Sequence, residues 1–213
     1  MNNVIWYPGH EVFAPDIVRA ENSYLYDADG KRYVDLASGV WCTSVGHGHP
    51  RIVRAMAEQA ARITHTGFNY ASALVAETAR EVLELVGLAG GQCVFLCSGS
   101  EAVLYDVRTA QAVMERPLLL TMADSYFGAY GPASRREAER WFNFDWTPCA
   151  ACPQWRECDQ ECKHWAAIPF DQIGGFLLEP GSSGGLVRFP PRKLVVRMAA
   201  RTLPAAARSQ PDD

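Results

Sequence analysis

Residues 93–102 read Cys93-Val94-Phe95-Leu96-Cys97-Ser98-Gly99-Ser100-Glu101-Ala102. The first five form an unbroken apolar run, which is typical of a strand that is covered on both faces. A glycine-containing turn follows, and helix-forming residues continue to about Met114. A buried strand that leads through a short turn into a helix indicates an α/β protein.

The turn at residues 98–101 suits an anion. Backbone N–H groups at a helix start are unpaired and carry partial positive charge. Gly99 would let an anion approach the backbone, and Ser100 adds a hydroxyl donor. The same residues also fit a plain helix cap, with Ser98 or Ser100 as the capping side chain and Glu101 favouring the helix dipole.

The rest of the sheet is indicated by two more apolar runs, at residues 118–122 and 175–179, each of which predicts a buried strand. A further helix is predicted over residues 192–201. Strands that alternate with helices favour an α/β fold with a mainly parallel sheet.

The first part of the chain has different signals. Asp29-Gly30, flanked by aromatic and branched residues, predicts a tight hairpin with strands at about 23–26 and 32–36. Pro50 suits the first position of a helix, and a second helix is predicted at about 71–86. Apolar residues at helical spacing predict a buried face on each of these helices.

Candidate ligand-binding residues follow the predicted strands. Loops after the carboxyl ends of parallel strands meet at one rim of the sheet, where ligands bind. Tyr126 could stack there on a flat cofactor ring, or Tyr126 and Phe127 could simply close the core. Glu179 places a carboxylate at the end of the third strand, or it serves as a capping or turn-forming residue.

Composition limits the partners. The chain has 213 residues, a formal charge of −4 and 48% hydrophobic residues, as expected for a soluble globular protein. An acidic chain without a basic run is a poor candidate for nucleic acid or an anionic membrane. No apolar run reaches the ~18 residues that span a bilayer, and the start does not resemble a signal peptide. We therefore expect a cytoplasmic protein.

The stretch 141–165 is rich in Trp and contains four closely spaced thiols, at Cys149, Cys152, Cys158 and Cys162. Four thiolates can hold a tetrahedral zinc ion or an iron–sulfur cluster. Four reduced surface thiols are the alternative. If a metal binds, we expect a structural zinc that folds an insertion.

Six pieces of the chain, in this order, resemble the class III pyridoxal-phosphate aminotransferases of the ornithine and ω-amino acid type. The pieces are Tyr24-Leu25-Tyr26-Asp27-x-Asp29-Gly30-Lys31-Arg32-Tyr33-x-Asp35, Ser38-Gly39, Gly46-His47-x-His49-Pro50, Ser98-Gly99-Ser100-Glu101-Ala102, Ser125-Tyr126-x-Gly128 and Glu179-Pro180. The resemblance runs from about residue 5 to about residue 200. Val103 and Phe127 depart from the commonest pattern of the family. The departure at Val103 resembles the glutamate-semialdehyde aminomutase-like branch.

The resemblance implies a fold-type I architecture, with a central mixed sheet between helices, usually in a homodimer. It implies that Gly99 and Ser100 hold the phosphate of pyridoxal 5'-phosphate and that Tyr126 stacks on the pyridine ring. It also implies that Glu179 lies near the cofactor–substrate end of the site.

Two loops before residue 50 gain a meaning from the same resemblance. Val40 and Trp41, after Ser38-Gly39, would line the substrate entrance. His47 and His49 invite a metal-binding interpretation, but in the family their loop is structural. Hydrogen bonding within the loop is therefore the expectation.

Amino transfer needs a lysine that holds the cofactor as a Schiff base and an acidic group against the pyridine nitrogen. The resemblance places both beyond the Glu-Pro segment, in chains about twice as long as this one. Lys31, Lys163 and Lys193 are the only lysines here, and none follows a strand in the expected context. We therefore expect a truncated chain without a catalytic residue, inactive alone, that binds pyridoxal phosphate weakly if at all.

The expected organisation is an N-terminal segment at 1–50, a partial cofactor-binding large domain at 51–201 with the Cys-rich insertion at 141–165, and a disordered tail at 202–213. The intact family would use an amino donor and a keto acid. The chain would form a homodimer or pair with a C-terminal half. A non-catalytic partner or regulatory subunit of an aminotransferase, and a metal-binding module on a degenerate scaffold, are the alternatives.

Overall fold

A computed structural model describes residues 16–67, 69–152, 162–181 and 187–202. The chain divides into two compact units, Met1–Thr78 and Ala79–Asp213. The predicted tail falls almost entirely outside the described residues, and the predicted domain division stays a prediction. Within the part of the chain that is described, every helix is too short or too polar to span a bilayer.

The first unit contains a three-stranded antiparallel sheet in the order β1-β2-β3. Its elements are β1 (Ile17–Glu21), β2 (Tyr24–Asp27), β3 (Arg32–Val34), α1 (Ser38–Trp41) and α2 (Pro50–Arg62), and α3 (Ala73–Leu85) starts in it. The buried carboxylate of Asp27 holds the β2–β3 turn, because it accepts hydrogen bonds from Asp29 N at 3.1 Å, Lys31 N at 2.8 Å and Tyr33 Oη at 2.8 Å. The predicted hairpin is confirmed.

The four residues of α1 form a left-handed turn rather than an ordinary helix. Ser38, Gly39, Val40 and Trp41 have φ angles of 49°, 56°, 56° and 67°. A left-handed conformation costs about 1–2 kcal/mol for each non-glycine residue, and a β-branched side chain such as that of Val40 makes it rarer still. Neighbouring groups must therefore hold this turn in place.

The Asp35 carboxylate holds the turn. Its Oδ1 accepts hydrogen bonds from Ala37 N at 3.0 Å and Ser38 N at 2.8 Å, and its Oδ2 lies 2.7 Å from His47 Nε2. Since a carboxylate only accepts, His47 Nε2 is the donor. The His47 backbone in turn pairs with Asn22 through two hydrogen bonds. His47 thus makes hydrogen bonds, as predicted, but its partners Asp35 and Asn22 lie outside its own loop.

Helices α2 and α3 begin and end close to the predicted residues, but their predicted buried faces are wrong. The expected stripes consist of Ile52, Met56, Ala60 and Ile63 on α2, and of Leu74, Thr78, Val82 and Leu85 on α3. Neither helix has a buried residue. Helical periodicity identifies an apolar face, but it does not say which polypeptide covers that face.

The second unit is built on a parallel sheet with the order β5-β4-β6. Its elements are α4 (Gly99–Val113), β4 (Leu118–Met122), α5 (Pro132–Arg135), β5 (Trp141–Phe144), α6 (Thr147–Ala150), α7 (Lys163–Ala166), β6 (Ile173–Phe176) and α8 (Arg192–Thr202). The predicted parallel α/β sheet is confirmed. Strand β6 begins two residues before the predicted start, and β5 lies in a stretch for which the sequence predicted no strand.

Strand β4 is buried along its whole length, and its side chains divide between two apolar clusters. Leu118, Leu120 and Met122 pack with Leu194 and Met198 of α8. The opposite face of β4 packs into a second cluster, whose buried members are Val107, Leu119, Phe127, Ala133 and Trp141. Helices α4 and α8 therefore cover opposite faces of the sheet.

The strand predicted at residues 93–97 does not form. This segment has no secondary structure, and Val94, Phe95 and Leu96 are about half-exposed. An extended segment becomes a strand only when a neighbouring strand supplies hydrogen bonds, and none of the described strands pairs with it. The prediction of a strand covered on both faces is therefore wrong for the residues that the structure describes.

The Asp35 contacts predict a pH dependence. The hydrogen bond from His47, more than any other contact, lowers the pKa of Asp35. The ionised Asp35 carboxylate therefore stabilises the left-handed turn fully above the ordinary carboxyl pKa of about 3.9. This stabilisation is lost as the pH falls through the lowered pKa of Asp35. We expect the hydrogen-exchange protection of the Ala37 and Ser38 amides to follow this curve between pH 7 and pH 2.

Asp35→Asn should lower that protection at pH 7 and remove its pH dependence, because the charge that strengthens all three hydrogen bonds is gone. Asp29→Asn, which neutralises an exposed carboxylate in the nearby hairpin, should keep the wild-type curve. Equal protection in Asp35→Asn and wild type would contradict the proposed role of Asp35.

Candidate functional site

The N-terminus of α4 is closed by a capping box. Ser98 Oγ accepts a hydrogen bond from Glu101 N at 3.2 Å, and Glu101 Oε2 accepts from Cys97 N at 2.9 Å and Ser98 N at 3.1 Å. Ser98 and Glu101 thus have the cap role that the sequence offered as an alternative. The side-chain hydrogen bonds of this cap involve Ser98 and Glu101, and not the two residues between them, Gly99 and Ser100.

Gly99 and Ser100 present backbone donors at the start of this 15-residue helix. Within the described residues, the N–H group of neither residue donates to another group. The space where a Gly99 side chain would begin is open, with no atom within 4 Å. The first turn of α4 therefore has both the partial positive charge and the room that an anion needs.

Ser100 also contacts the loop that follows β4. Its Oγ accepts a hydrogen bond from Ala129 N at 3.0 Å. Gly128 has φ +104°, and a Cβ there would lie 2.5 Å from Ser100 Oγ and 2.9 Å from Ser100 Cα. Only glycine allows both this backbone conformation and this close approach.

The two aromatic residues of that loop have separate roles. Phe127 is 6% exposed and stacks on Trp141, with a centroid distance of 6.2 Å and an interplanar angle of 27°. Tyr126 is 54% exposed. Phe127 therefore closes the core, whereas more than half of Tyr126 is exposed.

Glu179 connects the ends of two neighbouring strands. Its Oε2 accepts a hydrogen bond from Tyr126 N at 2.9 Å. Glu179 follows β6 and Tyr126 follows β4, so the predicted meeting of loops at one rim of the sheet brings these two residues together. The site thus combines Gly99, Ser100, Tyr126 and Glu179 within the second unit.

Arg136 was missed by the sequence analysis. It donates from Nη1 to the carbonyl of Met122, the last residue of β4, at 3.2 Å. Burial lowers the pKa of the Arg136 guanidinium, and the charges of Asp124 and Glu179 act in the opposite direction. Nothing in the local sequence distinguishes this Arg from the other Arg residues, because its role depends on residues from three separate segments.

Asp124 was also missed. One carboxylate oxygen accepts from the Trp146 indole N–H at 2.7 Å, and the other accepts from Arg188. The Arg188 guanidinium lies over the Trp146 ring, 5.0 Å from its centroid. These contacts connect loops after β4 and β5 with the segment before α8.

The predicted substrate-entrance residues belong to the first unit. The left-handed turn leaves Val40 76% exposed and Trp41 60% exposed. Exposed apolar side chains on a strained, well-supported turn are compatible with contact to a ligand. Their place at a substrate entrance stays a prediction.

The structure gives no support to the zinc or iron–sulfur prediction. Cys149 and Cys162 are partly buried against the apolar cluster that contains Trp146 and Trp165. Cys149, Cys152 and Cys162 take part in no disulfide, and Cys158 lies outside the described residues. Among the residues that are described, no three His, Cys, Asp or Glu side chains come together as metal ligands.

None of the three lysines is placed as the resemblance requires of a Schiff-base lysine. Lys163 begins α7 and Lys193 lies in the first turn of α8. Both helices pack on the face of the sheet opposite to α4, through Trp165 and Leu194. Lys31 lies in the hairpin of the first unit, with Nζ 5.0 Å from the centroid of the Tyr33 ring.

Comparison with known families identifies the chain. The model of the family "Aminotransferase class-III" matches residues 6–131, which is more than half of the sequence. The chain therefore belongs to the class-III aminotransferase family, as its motifs predicted.

Curated relatives include a probable 4-aminobutyrate aminotransferase from Bacillus subtilis, 35% identical over 116 residues, and a 5-aminovalerate aminotransferase from Pseudomonas aeruginosa, 35% identical over 112 residues. Each match covers 52% of this chain and 26% of the relative. The matched part thus spans about a quarter of the length of these relatives.

Solved structures confirm the fold. A taurine:2-oxoglutarate aminotransferase from Bifidobacterium kashiwanohense, solved with PLP and glutamate, superposes with a TM-score of 0.73 at 22% identity, over 92% of this chain and 50% of that one. An S-selective transaminase from Arthrobacter sp. gives 0.73 at 18% identity, over 94% and 50%. The second unit therefore contains part of a fold-type I α/β architecture.

The contact between Gly128 and Ser100 predicts the effect of one methyl group. Gly128→Ala should force the loop away from the start of α4 and weaken the affinity for inorganic phosphate at least about tenfold, or ~1.4 kcal/mol. Phosphate titration followed by nuclear magnetic resonance of the Gly99 and Ser100 amides measures this affinity.

Gly87→Ala is the matched control. Gly87 has φ +72°, but a Cβ there meets no atom within 4 Å, so this variant carries the backbone strain without the clash. It should lose stability and keep the phosphate affinity. An unchanged affinity in Gly128→Ala would show that the contact between this loop and Ser100 is not needed to bind phosphate.

Proposed function

We propose that this chain forms the phosphate- and ring-binding part of a pyridoxal 5'-phosphate-dependent aminotransferase. The complete enzyme would transfer an amino group from an amino acid or ω-amine to a keto acid. The observation that carries the proposal is the joining of an open helix start, at Gly99 and Ser100, to an exposed ring, at Tyr126, through the Gly128 contact.

The donors at this site match the cofactor's phosphate. The N–H groups of Gly99 and Ser100 would donate to phosphate oxygens at the positive end of α4. Ser100 Oγ already accepts a hydrogen bond from Ala129 N, so its own hydroxyl proton remains for the phosphate. Three donors on two successive residues would thus hold the phosphate in one orientation.

The Tyr126 ring would hold the flat part of the cofactor. Aromatic rings stack on one another with centroid distances of about 4.5–7 Å, and an exposed tyrosine ring offers one face for this contact. Bound pyridoxal phosphate supplies an electron sink for the bonds around the substrate's α-carbon. The residues of this chain bind and orient it there.

The acid–base chemistry of amino transfer needs an amine that this site does not contain. Lys163 and Lys193 lie on α7 and α8, which cover the face of the sheet opposite to α4. Lys31 belongs to the hairpin of the first unit. We therefore propose that the lysine comes from polypeptide outside this sequence. The source is either further residues of the same protein, which would form the homodimer, or a second chain that carries the C-terminal half.

Uncovered apolar surface supports such an assembly. Residues 94–96 are apolar and about half-exposed, and the segment 93–97 has no strand partner among the described residues. The apolar faces of α2 and α3 are exposed as well. Surfaces of this kind mark places where further polypeptide packs.

Pyridoxamine 5'-phosphate tests the cofactor proposal, because it needs no Schiff-base lysine. A relative with the same fold, an aminotransferase from Vibrio fluvialis, is known in a PMP-bound form, with a TM-score of 0.65 and 21% identity over 88% of this chain. We expect the chain to bind this compound, and Ser100→Ala to weaken binding about tenfold, because a hydrogen bond to a charged group contributes ~1.5–3 kcal/mol.

Ser134→Ala is the matched control for that titration. The Ser134 hydroxyl donates to Gly131 O at 2.9 Å on α5, away from the start of α4. Isothermal titration calorimetry should give wild-type affinity for Ser134→Ala. Failure of the wild-type chain to bind pyridoxamine 5'-phosphate would overturn the proposed function.

A second experiment tests the position of the lysines. We mix the chain with one equivalent of pyridoxal 5'-phosphate, reduce with borohydride, and map the peptides by mass spectrometry. We expect no stoichiometric adduct on Lys31, Lys163 or Lys193, since none is placed as a Schiff-base lysine. A full adduct on one of them, together with transaminase activity, would contradict the need for an outside lysine.

A further inference from the structure

Glu179 makes a contact that its position in the sequence does not suggest. Its carboxylate accepts the backbone N–H of Tyr126, 53 residues away, at 2.9 Å. Strands β4 and β6 are hydrogen-bonded neighbours, and the bond from Tyr126 to Glu179 joins the loops that follow them. Glu179 therefore holds the backbone of Tyr126, the residue that is more than half exposed.

The Glu179 carboxylate belongs to a group of two acidic and two basic side chains. Arg136 is anchored to the carbonyl of Met122 at the same strand end, and its positive charge faces Asp124 and Glu179. Asp124 is neutralised on its other side by Arg188. Two arginines and two carboxylates therefore lie together near the carboxyl end of β4.

The Tyr126 backbone is fixed from three directions. Glu179 holds its N–H group, the next residue, Phe127, is anchored in the core, and Gly128 lies against Ser100. With the backbone fixed, the ring keeps only its side-chain rotations. The backbone position from which the ring extends is therefore set by these three contacts.

We propose that Glu179 is a positioning residue for the cofactor ring, acting through the backbone N–H of Tyr126. The inference rests on the proposed function, because it assigns to Glu179 the task of aligning the stacking ring with the phosphate site. We expect the phosphate site, where Gly128 lies against Ser100, to keep its affinity when Glu179 is changed. Ring affinity and phosphate affinity are therefore separable properties.

The test compares two probes. Pyridoxamine 5'-phosphate engages both the helix start and the ring, whereas inorganic phosphate engages only the helix start. Glu179→Gln should weaken pyridoxamine 5'-phosphate about fivefold, since a neutral acceptor gives roughly half the strength of a charged one. It should leave the affinity for inorganic phosphate unchanged.

A double-mutant cycle identifies the route of the effect. If Glu179 acts through Tyr126, Glu179→Gln should cost little further affinity once Tyr126→Ala has removed the ring. Glu179→Asp keeps the charge but shortens the side chain, and it should resemble Glu179→Gln. Asp145→Asn, which removes a carboxylate after β5 at the same edge of the sheet, should bind both probes like the wild type.

Hydrogen exchange of the Tyr126 amide gives a readout that needs no ligand. Exchange should become faster in Glu179→Gln and stay unchanged in Asp145→Asn. If the wild type binds neither probe, the proposed function fails and the role of Glu179 fails with it. If the wild type binds both and Glu179→Gln weakens both equally, or weakens neither, the positioning role alone is overturned.

Discussion

Strand β4 lies between β5 and β6 and is buried on both faces, and every residue of the candidate site is placed relative to its carboxyl end. Its side chains alternate between the cluster under α8 and the cluster under α4, so a shift of one residue would exchange the two faces. This register fixes where the strand stops, at Met122. Beyond that point the loop continues through Tyr126 to Gly128, which lies against Ser100.

The site is polar where the strand ends and apolar directly behind it. Phe127 and Trp141 fill the space under α4, while Asp124, Arg136 and Glu179 occupy the rim. These charged residues are only partly buried, and each carboxylate lies near an arginine. The ionic residues and the aromatic core thus support the same loop from opposite sides, and the loop presents the Tyr126 ring.

Local sequence patterns predicted most elements correctly because their cause is local. The capping box at Ser98 and Glu101, the Asp29-Gly30 turn and the helix at Pro50 depend on residues within a few positions of each other. The patterns failed where burial depends on a distant partner. Residues 93–97 have the composition of a core strand, and α3 has an apolar stripe, yet neither is covered by the described residues.

By itself, the sequence determined the family and the α/β class, since ordered motifs and periodicity survive without knowledge of any contact. It also identified Gly99, Ser100, Tyr126 and Glu179 as candidates. Only the tertiary structure decided that Phe127 faces the core while Tyr126 faces outward, that Gly128 must lie against Ser100, and that Glu179 holds the Tyr126 backbone. The reason is physical: these roles arise from atoms that approach within about 3 Å although they lie tens of residues apart, and sequence spacing carries no record of such distances.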